Sequence, residues 1–429
     1  MNDSFEILEG DLLISDGKIA GLGKDLECPP ATRLLDVSGH VITPGFIQGH
    51  VHLGQALFRG LAEDRVLLDW LKDRIWPLEA AHNAASAEMS AWIGGMDCLM
   101  GGATTVHDFG LVHGTDAILK ATTELGIRAV VGKCMMDTGE GVPPGLMEDV
   151  SASVAEAREL HKTWHNTARG RIQVALTPRF ILSCSEEEWR AAVDLSKELE
   201  LPLHTHLLES EEEEIAVQSV LGMSQMDFLD KVGVLDTDLR IAHGVWFDEN
   251  AQAVLRERSM SVAHCPSTNL KLASGVADVV FLNQQANIQV GLGCDGAPCN
   301  NDMDMLEEMR LAALLQTQKH GPGVFKAQDA LALATSQGAE ALGLGDSLGS
   351  LEVGKAGDVV AIDLNRPGMF ARGSLYDRIV YGATRDTISY VLVDGELLVD
   401  HQEFVDLDMQ EVLHKGRVEI NKLLERAEF

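Results

Sequence analysis

Eight apolar runs, separated by longer stretches of helical character, occupy the middle of the chain: VITPGFIQGHVH, TTVHDFG, RAVVGKCMMD, RIQVALTP, LPLHTHL, LRIAHGVW, MSVAHCP and IQVGLGCD. Near-continuous apolar character marks strands buried on both faces, as in a parallel sheet. Parallel strands need crossovers of a dozen or more residues, usually helices. Segments such as SAEMSAWIGGMDCLM and EEEWRAAVDLSKELE supply them. Eight β-α units predict an α/β fold, a (β/α)8 TIM-like barrel.

The chain ends read differently. DLLISDGKIAGLG alternates around Asp16-Gly17, and TISYVLVDGELLVD repeats the pattern around Asp394-Gly395. Both predict antiparallel strands joined by tight turns. A composite β-sandwich is expected from residues 1–42 and 349–429, with a C-terminal helix, around a barrel of residues 43–348. The acidic run Glu211–Glu214 is expected to open a helix, where negative charge is favoured.

Charge narrows the choice of partners. With 34 basic and 66 acidic residues the net charge is −32, a field that repels phosphate backbones. The seven cysteines are irregularly spaced and form no Cys-x-x-Cys pair, which fits free thiols in a reducing cytoplasm. The N-terminal residues show no basic-then-apolar leader, and no apolar run is long enough to span a bilayer. The expected setting is cytoplasmic, with a small heterocyclic molecule and water as partners, no nucleic acid, no membrane, and self-association into a dimer or larger homo-oligomer.

Histidines and one aspartate fall at the ends of separate strand candidates. His50 and His52 end the first, and residues i and i+2 on a strand face one side. His206 ends the fifth, with Glu209 three residues on and His204 deeper in the barrel, where it reads as structural. His243 ends the sixth and Asp295 the eighth. Barrel enzymes build their sites at this rim, and three histidines with a carboxylate suit Zn²⁺, or else Fe²⁺, with a position left for water. His264 ends the seventh run and is open to either a site or a scaffold role. Gly291, Gly293 and Gly296 fit a GxGxxG pattern, but Asp295 inside it is better used as a ligand. Cys294 and Cys299 read as scaffold.

These residues resemble the amidohydrolase superfamily position by position: His50-x-His52, His206, His243 and Asp295, with the His206-x-x-Glu209 of its deaminase branch. PGFIQGHVH, VAHCPSTNLKLASG and GCDGAPCNNDMDMLEEMRLAALL are similar to the branch of guanine, nucleoside and s-triazine hydrolases. The resemblance implies one divalent metal per chain on His50, His52, His206 and Asp295, with catalytic roles for Asp295, Glu209 and His243. Asp295 would move the proton of the attacking water, Glu209 would protonate a ring nitrogen, and His243 would steady the developing charge. A catalytically dead scaffold of the same fold would be expected to lack ligands, and none is missing.

Substrate signals divide. Gln55 and Arg179-Phe180 resemble the base-reading positions of guanine deaminases, so a guanine-like purine is the first expectation. LLDWLKDRIWPLE resembles the methylthioadenosine/S-adenosylhomocysteine deaminases, in which Glu79 matches a ribose-binding glutamate. That group and the s-triazine hydrolases are the alternatives. Arg179 would address an electron-rich edge of the substrate, or else pair with a barrel carboxylate such as Asp137.

Overall fold

The computed structural model describes residues 4–30, 32–255, 258–284 and 288–428. The extreme tips of the chain-end segments expected to form the sandwich lie outside these residues. Eight parallel strands form the central sheet: β1 (Phe46–His52), β2 (Ala103–Asp108), β3 (Arg128–Met135), β4 (Ile172–Pro178), β5 (Leu203–Leu207), β6 (Leu239–His243), β7 (Met260–His264) and β8 (Ile288–Leu292). They pair in sequence order. After Leu292 the eighth strand breaks, then resumes at Asp295–Gly296 opposite Val51 and His52 of β1, which closes the barrel.

The crossover helices form where capping and apolar periodicity coincide. Asn83 and Ser86 make a reciprocal cap at the start of Ala84–Met100. Ser185 caps Glu186–Leu199, whose buried face carries Trp189, Ala192, Val193 and Leu195. The acidic run opens Glu211–Leu221 as expected, behind the Ser210 cap. Among the described residues, no helix is long and apolar enough to cross a membrane.

The first apolar run holds two strands rather than one. His40–Pro44 joins an antiparallel sheet with Val359–Asp363, Ile388–Val393, Glu396–Asp400 and Glu403–Phe404, while Phe46 onward enters the barrel. The chain turns at Gly45, where a Cβ would collide with the Thr104 side chain. The hairpin of Asp11–Ser15 and Lys18–Gly23 packs on this sheet through Ile19, Leu351 and Val359, forming the small sandwich. The C-terminal helix Met409–Ala427 covers the barrel instead, with Leu423 against Phe58 and Leu78.

One ion-pair cluster ties the sandwich to the barrel. Arg128, opening β3, donates from Nε and Nη2 to the two oxygens of Asp358 at 3.1 and 3.0 Å, and reaches Asp394 at 3.4 Å. Asp358 is buried, so removal of its fork-shaped partner strands a carboxylate away from water. Arg128→Met is expected to destabilise the fold by about 3 kcal/mol. The check is a lowered midpoint in thermal or urea unfolding, with turnover per folded molecule unchanged.

Candidate active site

The strand ends of the barrel bring four ligand atoms together. One nitrogen each from His50, His52 and His206 and one oxygen of Asp295 all lie within 4.8 Å of one another. The Nε2 atoms of His50 and His52 stand 3.3 and 3.2 Å from Asp295 Oδ1, and His52 Nε2 is 3.1 Å from His206 Nε2. His204 lies deeper, as its position on β5 indicates. Its Nε2 meets His50 Nδ1 at 2.7 Å, and its ring leans on His107.

Tautomers decide what this cluster can hold. His206 Nδ1 donates to the Arg179 carbonyl at 2.7 Å, which leaves Nε2 as a bare lone pair facing the cluster. His50 Nε2 is buried and faces the cluster, 3.3 Å from Asp295 Oδ1. Burial pushes the pKa of His50 down and that of His206 well down, so both rings are neutral and ready to ligate. Burial acts the other way on Asp295, but the His50 and His52 rings against it outweigh burial and hold the carboxyl well below its usual range. Lone pairs of neutral imidazoles crowded beside a carboxylate repel one another unless a cation lies between them. Three nitrogens and one oxygen match the borderline chemistry of Zn²⁺ and Fe²⁺.

Glu209 and His243 stand beside this cluster. His243 Nδ1 contacts Asn269 Oδ1 at 3.1 Å, and its Nε2 is 3.4 Å from Glu209 Oε2. Burial lowers the His243 pKa to about 3, so the ring is neutral, and with Nδ1–H donated to Asn269 its Nε2 is an acceptor. Burial, then the charges of Asp295 and Glu213, push the Glu209 carboxyl well above its usual range. A neutral carboxylic acid facing the ligand cluster can donate a proton.

A cavity opens from the cluster past Gln55, Arg179 and Phe180 to an apolar wall of Leu67, Trp70 and Leu71. Arg179 and Phe180 both line it because β4 ends at Pro178, and side-chain alternation ends with the strand. The helical wall contains a π-turn at Leu71–Ile75. Arg179 has a carboxylate partner, but it is Glu79 and not Asp137. Its Nη1 donates to Glu79 Oε2 at 2.5 Å and its Nη2 to Oε1 at 3.4 Å, while Gln55 Nε2 donates to Oε1 at 2.8 Å. Burial opposes ionisation of Glu79, yet Arg179 more than compensates and keeps its pKa low.

Other candidates fall outside the cavity. His264 is buried without a ring partner and does not line it. Cys294 and Cys299 are buried free thiols, as expected of scaffold. Sequence reasoning missed Asn269, which lies within VAHCPSTNLKLASG, and Glu213, hidden in the acidic run. A larger cavity between the hairpin and the five-stranded sheet, lined by Leu12, Ile42 and Tyr376, holds none of the clustered groups.

The family described as the amidohydrolase family matches residues 41–398. A "5'-deoxyadenosine deaminase" of Methanobrevibacter smithii is 33% identical over 99% of this chain and 96% of its own length. A "5-methylthioadenosine/S-adenosylhomocysteine deaminase" of Desulforudis audaxviator is 34% identical over 97% and 95%. Among solved structures, a zinc-bound adenosine deaminase from Xanthomonas campestris superposes with a TM-score of 0.88 at 28% identity, covering 96% of this chain and 93% of that one. Guanine deaminase of E. coli gives 0.81 at 30%, covering 91% and 92%.

Elemental analysis of the purified protein is expected to find one divalent ion per chain. His206→Ala should abolish most of that content, since it deletes a ligand fixed by its own backbone hydrogen bond. Metal-free wild-type protein that gains nothing on incubation with Zn²⁺ or Fe²⁺ would contradict the ligand assignment.

Proposed function

This chain belongs to the amidohydrolase family and is a hydrolase of carbon–nitrogen bonds in cyclic amidines, and we propose that its substrate is an adenosine-type nucleoside with an uncharged 5' group. The buried Glu79 carboxylate carries this reading. Three of its roughly four acceptor positions are filled by Gln55 and Arg179. The remainder suits a sugar hydroxyl, which a free base lacks. The similarity to deaminases named for 5'-deoxyadenosine and methylthioadenosine points the same way. The guanine-like expectation rested on Gln55 and Arg179-Phe180 as base-reading positions, and both Gln55 and the Arg179 fork are engaged by Glu79.

The 5' group follows from charge. Arg179 is the sole Lys or Arg among the described residues lining the cavity, and it is paired. In a nucleoside whose C6 meets the ligand cluster, the 5' carbon lies at the far end, away from the metal. A phosphate or carboxylate there would be buried without a cation, at a cost of several kcal/mol. Leu67, Trp70 and Leu71 instead offer apolar contact.

His50, His52, His206 and Asp295 would hold zinc, which supplies the Lewis acidity that makes water a nucleophile at neutral pH. Glu209 donates its proton to the ring nitrogen beside the reacting carbon, making that carbon electrophilic. Asp295 takes a proton from the attacking water and passes it to the departing amino group. Neutral His243 accepts a hydrogen bond from the attacking oxygen through Nε2, oriented by Asn269. A C–O bond forms, the C–N bond breaks, and ammonia leaves. Of the two protons of water, one departs with ammonia and the other restores Glu209.

Ammonia release should be fastest, by kcat/KM, with 5'-deoxyadenosine or 5'-methylthioadenosine. It should fall at least ~100-fold with S-adenosylhomocysteine or adenosine monophosphate, whose tails bring buried charge. Preference for guanine, or for a triazine, would refute the nucleoside reading. Fast turnover of S-adenosylhomocysteine would refute only its 5' part. Glu209→Gln should retain the metal yet lose ~10²–10⁴-fold in kcat, because Gln is no proton donor.

A further inference from the structure

Two buried polar side chains beside the site take no chemical step in the mechanism above. Glu213 and Gln225 sit on successive helices, Glu211–Leu221 and Gln225–Val232, and are 2% and 0% exposed. Both turn inward onto the segment that follows β5. Gln225 Oε1 accepts the Leu208 N–H at 3.3 Å, and Glu213 Oε2 accepts the Glu209 N–H at 3.2 Å. The Leu208 carbonyl accepts from Trp246 N at 3.0 Å.

This segment needs holding. Leu208 has φ = +54°, the left-handed region that leucine rarely adopts. That reversal ends the strand direction and turns Glu209 into the cavity, 3.4 Å from His243. Released, Leu208 would relax to an ordinary backbone conformation and Glu209 would swing away. Without these two side chains the N–H groups of Leu208 and Glu209 would be left without acceptors in a buried turn. Placing them on the two consecutive N–H groups around the strained residue serves geometry.

We propose that Glu213 and Gln225 are positioning residues that clamp the Leu208–Glu209 turn and thereby aim the Glu209 carboxyl at the substrate ring. The inference rests on Glu209 being the proton donor. It concerns backbone acceptors: an amide oxygen at position 213 accepts the same N–H, while burial and Asp295, which come before Glu213 among the causes that keep Glu209 protonated, are untouched.

The test compares Glu213→Gln, Glu213→Ala and Gln225→Leu in the metal-loaded enzyme, with Glu209→Gln as reference. Glu213→Gln should stay within ~3-fold of wild-type kcat, since its oxygen replaces the carboxylate oxygen. Glu213→Ala and Gln225→Leu should each lose ~10–100-fold in kcat with KM within ~3-fold and metal content unchanged, as expected for a displaced catalytic group. Should Glu213→Ala fail to fold, Gln225→Leu and Glu213→Gln still decide. Normal kcat in Gln225→Leu, or a Glu213→Gln enzyme as slow as Glu209→Gln, would overturn the clamp. Near-normal turnover in Glu209→Gln would instead remove the acid assignment on which it stands.

Discussion

The pairing of Asp295–Gly296 with Val51–His52 is the contact on which the molecule turns. It closes the barrel, and it also sets the Asp295 carboxylate against the imidazoles of His50 and His52. Approach this close demands glycine. A Cβ at Gly293 would stand 2.8 Å from the His50 carbonyl oxygen, and one at Gly296 would run into Gln55. A Cβ at Gly291 would press on Gly338 at 3.1 Å. The glycine spacing that resembles a dinucleotide fingerprint is therefore the packing requirement of strand eight against strand one and the helix outside it. Barrel closure and ligand convergence are one event, so the site is a product of the fold rather than an addition to it.

Strain gathers where strands hand their side chains to the cavity. Leu208, His243 and Asp295 all have positive φ, at +54°, +77° and +60°, and each ends or follows a barrel strand. A strand side chain points across the sheet, whereas ligands and acids must point along the barrel axis toward the rim. Left-handed residues provide that change of direction, at a cost of order 1–3 kcal/mol each. Such a cost is sustained by dense surroundings, and these residues are surrounded by fully buried strands and helices.

The barrel was legible in the chain because parallel strands, buried on both faces, leave apolar runs that little else in a sequence imitates. The cluster at the barrel rim was legible for a related reason: strand ends are local features, and His50, His52, His206, His243 and Asp295 each sit at one. What stayed hidden depends on distant pairing. Nothing near Arg179 announces Glu79, a hundred residues earlier, as its partner, so a free guanidinium and a paired one look alike in sequence. Glu213 was concealed by its neighbours, since one buried acid in Glu211–Glu214 is chemically identical to the exposed Glu211 and Glu212 beside it. The turn at Gly45 was invisible because both sides of it are apolar strands, and only the Thr104 contact shows where one sheet ends.

Arg179 joins the two ends of the site through different atoms. Its carbonyl receives the proton of His206 Nδ1 and so fixes the tautomer that leaves Nε2 free for the metal. Its guanidinium holds Glu79, the carboxylate proposed to meet the sugar. The backbone contact survives any substitution of the side chain, whereas the side-chain contact survives none. Under the proposed function, metal binding is thereby insulated from changes in substrate recognition, since a new side chain at position 179 leaves the carbonyl that orients His206 in place.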